Sequence, residues 1–164
     1  MKHEDTSALP QGWAEGLGAL RYGLYFLSTG ALSEPRGMLV SWVTQVSGRP
    51  PMVAVAIRHN RSVLPWVERN GAFAINLLPA GDIELVRALG RVAGQRFEGI
   101  ELETSSRGTV VIARGLGWIC SEVVEVWRPG DHAVVVGKVV EVKWKGGDEV
   151  LTAQAIGHSY LGLS

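Results

Sequence analysis

Between Tyr22 and Ala155, short runs of aromatic and β-branched residues are interrupted at close intervals by glycine- and proline-bearing turns. Such runs read as strands, because branched and aromatic side chains suit a pleated, half-buried surface and the turn residues supply the reversals between them. The runs are Tyr22–Thr29, Met38–Ser47, Met52–Ile57, Ala72–Leu78, Trp118–Trp127, His132–Trp144 and Val150–Ala155. Met52–Ile57 (MVAVAI) is apolar throughout, which predicts a strand covered on both faces. The helical signals are fewer. Trp13–Leu20 is weakened by Gly16 and Gly18. Ser62–Glu68 starts on a capping serine, tolerates Pro65 in its first turn and stops at Asn70-Gly71, while Asp82 opens a helix that runs through Leu89 to Gly90. Arg91–Thr109 is polar and reads as a long surface excursion, with β structure resuming at Val110.

About seven short strands with two or three helices predict a mainly β fold, a closed or half-closed barrel with a few short helices. Strand and helix do not alternate regularly enough for a doubly wound sheet. At 164 residues the chain is expected to form one domain over residues 13–164, behind a polar tail at 1–12. The C-terminal tail, 157–164, holds His158 and Tyr160. Several strands carry apolar residues on both faces, so the outer face needs a cover, and a homodimer is the expected one.

The charge balance narrows the function. Sixteen basic side chains face sixteen acidic ones, with no basic stripe, which argues against a nucleic-acid binder. The lone cysteine, Cys120, lies in mid-strand and is expected to pack as a small apolar side chain; it forms no internal disulfide. No apolar run approaches the ~20 residues of a spanning helix, and nothing at the start resembles a signal peptide, so a cytoplasmic protein without membrane partners is expected. A phosphate loop, a Rossmann fingerprint, HExxH, CxxC and a GxSxG elbow are all missing, and no metal site is expected.

Three places could carry chemistry. Arg58–Ser62 (RHNRS) leaves a buried strand and enters a helix; it is either a phosphate cradle or an N-cap with solvated arginines. In Gly37–Ser47 (GMLVSWVTQVS), Ser41, Thr44, Gln45 and Ser47 interrupt an apolar strand, which fits a flat heteroaromatic ligand or plain in-and-out alternation. In Gly130-Asp131-His132, His132 is either a group that changes protonation near neutral pH or a turn histidine bonded to its neighbour.

Taken together, these segments resemble the flavin reductase-like family, the FMN-binding split barrels. The resemblance rests on Gly37–Trp42, Pro50–Val55, Asn60–Ser62, Gly71–Asn76, Arg96-Phe97-x-Gly99 and Gly130-Asp131-His132, in that order, across roughly residues 17–160. It implies a usually dimeric split barrel holding FMN, or sometimes FAD, near the dimer interface. By position, Met38, Leu39, Val40, Ser41 and Trp42 would line the isoalloxazine ring. Ser47, Arg58, Asn60 and Ser62 would hold the ribityl phosphate. His132 would lie near the flavin face where a nicotinamide stacks, as the candidate catalytic residue. The implied activity is NAD(P)H-dependent flavin reduction, hydride passing from nicotinamide to flavin. A flavoredoxin-like electron carrier serving a redox protein partner is the alternative, and a dimer that has lost its flavin is a third reading.

Overall fold

The computed structural model describes residues 9–157; the first eight residues of the tail, and His158 and Tyr160, lie outside the described residues. The elements run α1 (Trp13–Gly18), β1 (Tyr25–Thr29), β2 (Arg36–Val40), β3 (Val43–Gly48), β4 (Pro51–Arg58), α2 (Leu64–Asn70), β5 (Ala72–Leu77), α3 (Ile83–Leu89), β6 (Leu102–Thr104), β7 (Val110–Ile112), β8 (Gly117–Trp127) and β9 (His132–Trp144), with a 3-10 turn at Gln154–Ile156. Seven strands form one antiparallel sheet in the order β2-β1-β5-β8-β9-β4-β3. A separate hairpin pairs β6 with β7.

The predicted strand Met38–Ser47 is in fact two. β2 pairs with β1 at one edge of the sheet and β3 with β4 at the other, and only Ser41 and Trp42 join them. The sheet therefore curls into a split barrel, with β2 and β3 at the seam. Its interior holds Leu27, Val40, Val53, Val55, Ile57, Phe73, Ile75 and Val135, and α2 packs onto this cluster through Leu64 and Val67. β4 has both faces covered as predicted, with Val53, Ala54 and Val55 all buried.

Part of the outer face is covered from within the chain. Phe26 points outward into a second cluster with Leu24, Leu78, Ile112 and Leu151, and α3 lays Leu85, Val86 and Leu89 over it. α3 begins where the sequence places it, with the Asp82 carboxylate accepting from Leu85 N–H at 3.2 Å. The excursion after α3 contains β6, a strand that three residues of weak β pattern do not announce. Val150–Ala155 is not a strand. It touches the sheet through single bridges, Gly23 to Thr152 and Pro79 to Val150, then turns into the 3-10 segment. Gln154 turns it, its side chain donating to Leu20 C=O and accepting from Tyr22 N–H.

Asn76, the end of the Gly71–Asn76 motif, is wholly buried and structural. Its Nδ2 donates to Phe26 C=O at 2.9 Å and to Ser28 Oγ at 2.8 Å, and its Oδ1 accepts from Ile112 N–H at 2.8 Å. Ser28 passes the connection on, donating to Val110 C=O at 2.6 Å. One amide thus ties β1, β5 and β7 together. Cys120 is buried as expected, and that burial raises its thiol pKa to about 11. Truncating Asn76 strands buried donors and acceptors, each costing about 1–3 kcal/mol. Asn76→Ala is expected to lose about 3 kcal/mol. Thermal unfolding followed by circular dichroism should fall by roughly 10 °C. An unchanged midpoint would remove this role.

Candidate functional site

The site sits on the barrel seam. After β2 the chain makes a three-residue turn, Val43 N–H donating to Ser41 C=O at 3.0 Å, and Trp42 C=O then accepts from Ala56 N–H at 3.0 Å. The last residues of β2 are thereby carried to the end of β4. An apolar trough of about 220 Å³ opens there, lined by Met38, Leu39, Val40, Ser41 and Trp42 on one side, by Ala56, Arg58 and Arg61 on another, and by Leu24 and Ile156. Val40 is 5% exposed with its side chain in the barrel interior, so it offers the trough mainly its backbone. Ser41 is 7% exposed.

A second chamber of about 380 Å³ shares Met38, Leu39 and Arg61 with the trough, so the two form one continuous cleft. Here the lining is polar and basic: Asn60, Arg61, Ser62 and Arg96, beside Gly37, Gly90 and Ala93. Helix α2 starts later than the sequence predicts. Its N-cap is Val63, with no side-chain cap, so Ser62 is not the capping residue and instead borders the chamber.

Arg96 is the residue whose role the sequence did not disclose. Its Nε donates to Arg91 C=O at 3.1 Å and its Nη1 to Gly37 C=O. Phe97 anchors the same loop, meeting Phe26 edge to face with ring centres 5.7 Å apart. That approach requires a bare Gly37, since a Cβ there would sit 2.5 Å from both the Phe26 ring and Leu27 C=O. Burial, and after it the charge of Arg61, lowers the Arg96 pKa. Two guanidinium groups that oppose each other's charge in one chamber gain from a bound anion.

Arg58 takes a different place. It borders the trough, not the basic chamber, and its Nη2 lies 3.6 Å from Asp131 Oδ2. Asp131 Oδ1 is 2.6 Å from His132 Nδ1. Burial pushes the Asp131 carboxyl up, but the hydrogen bond to His132, with the charges of His132 and Arg58, outweighs it and holds the group below its ordinary range. His132 is 6% exposed, its ring packed on the Trp42 indole at 4.8 Å between centroids. It meets the trough through Trp42 rather than as an open wall. Ser47 lies elsewhere. It faces Met52 across the β3–β4 ladder, six residues along β4 from Arg58, or roughly 20 Å at the usual strand rise.

The structure thus brings together Met38–Trp42, Arg58, Asn60 and Ser62, adds Arg61 and Arg96, and leaves Ser47 apart within the chain. An apolar trough with backbone polar groups along one wall, continuous with a basic chamber, fits a flat heteroaromatic ring carrying a phosphate on a short tether. A flavin has that form. Among the described residues, no three His, Cys, Asp or Glu side chains gather into a metal-sized cluster, and no helix is long and apolar enough to cross a membrane.

Comparison with known proteins agrees with this geometry. The flavin reductase like domain matches residues 17–156. A flavin reductase from Pseudomonas putida is 30% identical over 115 residues, which cover 70% of this chain and 68% of that protein. A diflavin flavoprotein from Synechocystis is 28% identical over 143 residues, and the chain spans only 25% of its length. Nitrilotriacetate monooxygenase component B from Mycobacterium thermoresistibile has the same fold at a TM-score of 0.76, with 25% identity over 83% of this chain and 76% of that one. With the match running from α1 to the final 3-10 turn, this chain belongs to the flavin reductase-like family.

Proposed function

We propose that this chain is an NAD(P)H-dependent flavin reductase whose flavin lies with its ring in the apolar trough and its ribityl phosphate in the basic chamber. The observation that carries the reading is the continuity of the two through Met38, Leu39 and Arg61. FMN is the flavin that these two spaces account for. A flavin reductase among the relatives supports the activity.

When bound, the flavin supplies the redox chemistry, taking a hydride from nicotinamide and passing its electrons on. The chain's own residues bind and orient. The backbone of Met38–Trp42 and the Ser41 hydroxyl give the ring edge hydrogen-bonding partners, while Leu24 and Ile156 keep water from one side. Asn60, Arg61, Ser62 and Arg96 hold the phosphate. His132 is a positioning residue: fixed by Asp131, it supports the Trp42 indole that walls the trough. No acid or base needs to act on the transferred hydride, which is consistent with a site made of walls and anchors. A cytoplasmic setting suits a nicotinamide donor and a lone buried thiol.

The purified protein should show oxidised-flavin absorbance, as isolated or after reconstitution with FMN, that bleaches on anaerobic addition of NADH or NADPH. Bands that persist with both donors yet bleach with dithionite would replace the reading with an electron carrier.

The phosphate assignment has its own check. Charge-assisted hydrogen bonds of this kind contribute about 1.5–3 kcal/mol each. Arg96→Gln is therefore expected to weaken FMN binding by about 10- to 100-fold. Riboflavin, which has no phosphate, should bind the variant and the parent alike in a fluorescence titration. Equal losses for both ligands would show that Arg96 only shapes the loop.

The chain is further proposed to work as a homodimer. Val124, Trp127, Val142 and Trp144 on β8 and β9, and Val46 on β3, remain half exposed or more after α3 and β7 have covered the rest. Sedimentation equilibrium should return twice the 17.7 kDa chain mass. A monomer at micromolar concentration would count against it.

A further inference from the structure

The part of the trough wall made by Ile156 comes from the end of the described chain and is held differently from the rest of the cleft. Residues 149–153 are fastened to the barrel by backbone. Ala80 N–H donates to Glu149 C=O, Leu151 N–H to Leu78 C=O and Leu24 N–H to Leu151 C=O, each at 2.8 Å, and Ala153 N–H donates to Tyr22 C=O at 3.0 Å. Leu151 and Ala153 are buried. Past Ala153 this anchoring stops. Ala155, Ile156 and Gly157 are exposed. Among the described residues, their backbone bonds stay within the segment: Ala155 N–H to Thr152 C=O at 3.2 Å and Gly157 N–H to Gln154 C=O at 3.0 Å. A single 3-10 turn has too few bonds, too poorly aligned, to fix its own direction.

Gln154 supplies the tie that the backbone lacks. Its Nε2 donates to Leu20 C=O at 3.1 Å and its Oε1 accepts from Tyr22 N–H at 3.5 Å, 134 and 132 residues back in the chain. An amide suits that task, because it offers a donor and an acceptor side by side and carries no charge. Both partners belong to the stretch that leads into β1. The same stretch brings Leu24 to the trough wall and sets the Tyr22 ring 6.4 Å from the Trp42 indole, centre to centre. We infer that Gln154 is a positioning residue of the flavin site, whose amide clasps the end segment to residues 20–22 and so keeps Ile156 on the trough. The inference rests on the flavin reading above. Gln154 does not line the cleft itself; it acts through Ile156. Ile156 borders the trough and not the basic chamber, so the effect falls on the ring and not on the phosphate.

The experiment titrates the full chain with FMN and with riboflavin, followed by flavin fluorescence. Gln154→Met keeps the length and bulk of the side chain and removes both bonds. It is expected to raise the Kd of FMN and of riboflavin by the same factor, about two- to tenfold, the range that one hydrogen bond covers. Ile156→Ala should weaken both flavins as well. In the double variant the two losses should not add, because one residue acts through the other. The thermal midpoint of Gln154→Met should stay near that of the parent, since Leu151 and Ala153 still anchor the segment. Unchanged Kd values in Gln154→Met, a loss confined to FMN, or additive losses in the double variant would each overturn the clasp. So would a loss of affinity matched by a large fall in the midpoint, which would make Gln154 a residue of the fold alone. Failure of the parent to bind either flavin would be a failure of the flavin reading itself, seen before any variant is compared.

Discussion

Two residues join strands that stand at opposite ends of a seven-stranded sheet, and most of the architecture follows from that. Laid flat at about 4.8 Å per strand, β2 and β3 would be about 29 Å apart. The three Cα steps from Val40 to Val43 can reach at most about 11 Å. The sheet must therefore curl until its edges meet, and the interior cluster of Leu27, Val55, Phe73 and Ile75 fills the volume it encloses. The same short link decides where a ligand can go. It opens the seam at Ser41 and Trp42, the one stretch in which the backbone leaves β2 without yet having joined β3.

Charge is sorted along the cleft, and the sorting matches the proposed separation of ring from phosphate. Arg58, nearest the apolar trough, is matched by Asp131. Arg61 and Arg96, further along, oppose each other. A phosphate gains most where like charges already crowd, and a neutral ring gains most where charge is balanced. The loop carrying Arg96 comes late in the chain and is held by Phe97 on Phe26 and by the carbonyl of Gly37. Gly37 serves twice: its missing side chain admits Phe26, and its carbonyl receives Arg96.

The legible part of this fold was the part governed by local pattern. Period and turn chemistry located β4, β8, β9, the Asp82 cap and the glycine stop at Gly71, because strand and cap signals act over a few residues. The break inside Met38–Ser47 was not legible, since Ser41 and Trp42 are compatible with an unbroken strand and only sheet closure divides them. Ser62 shows the same limit. Its residue type suits an N-cap, but the chain turns helical a residue later and leaves it at the chamber. Asn76 and Arg96 stood out as motif positions without a visible task, because the partners of Asn76, and the Gly37 carbonyl that receives Arg96, lie 36 to 59 residues away in the chain. Family position placed Ser47 with the phosphate, whereas antiparallel pairing sends it to the far end of β4.

A reductase of this kind must hold a reactive ring still without offering it a competing acid or nucleophile. The trough meets both demands by construction. Its walls include backbone from β2, whose alternate side chains are committed to the interior, an indole packed on a buried histidine, and the apolar side chains of Leu24 and Ile156. Cys120, the chain's one thiol, sits in a separate buried cluster with Trp118 and Val111. Raised to about 11, its pKa keeps it protonated at neutral pH. Rigidity here comes from elements that would be rigid in any case, the closed sheet and its core. The loop of Arg96 and the end segment of Ile156 complete the cleft from outside the barrel, so that changes in those two segments would leave the closed seam itself in place.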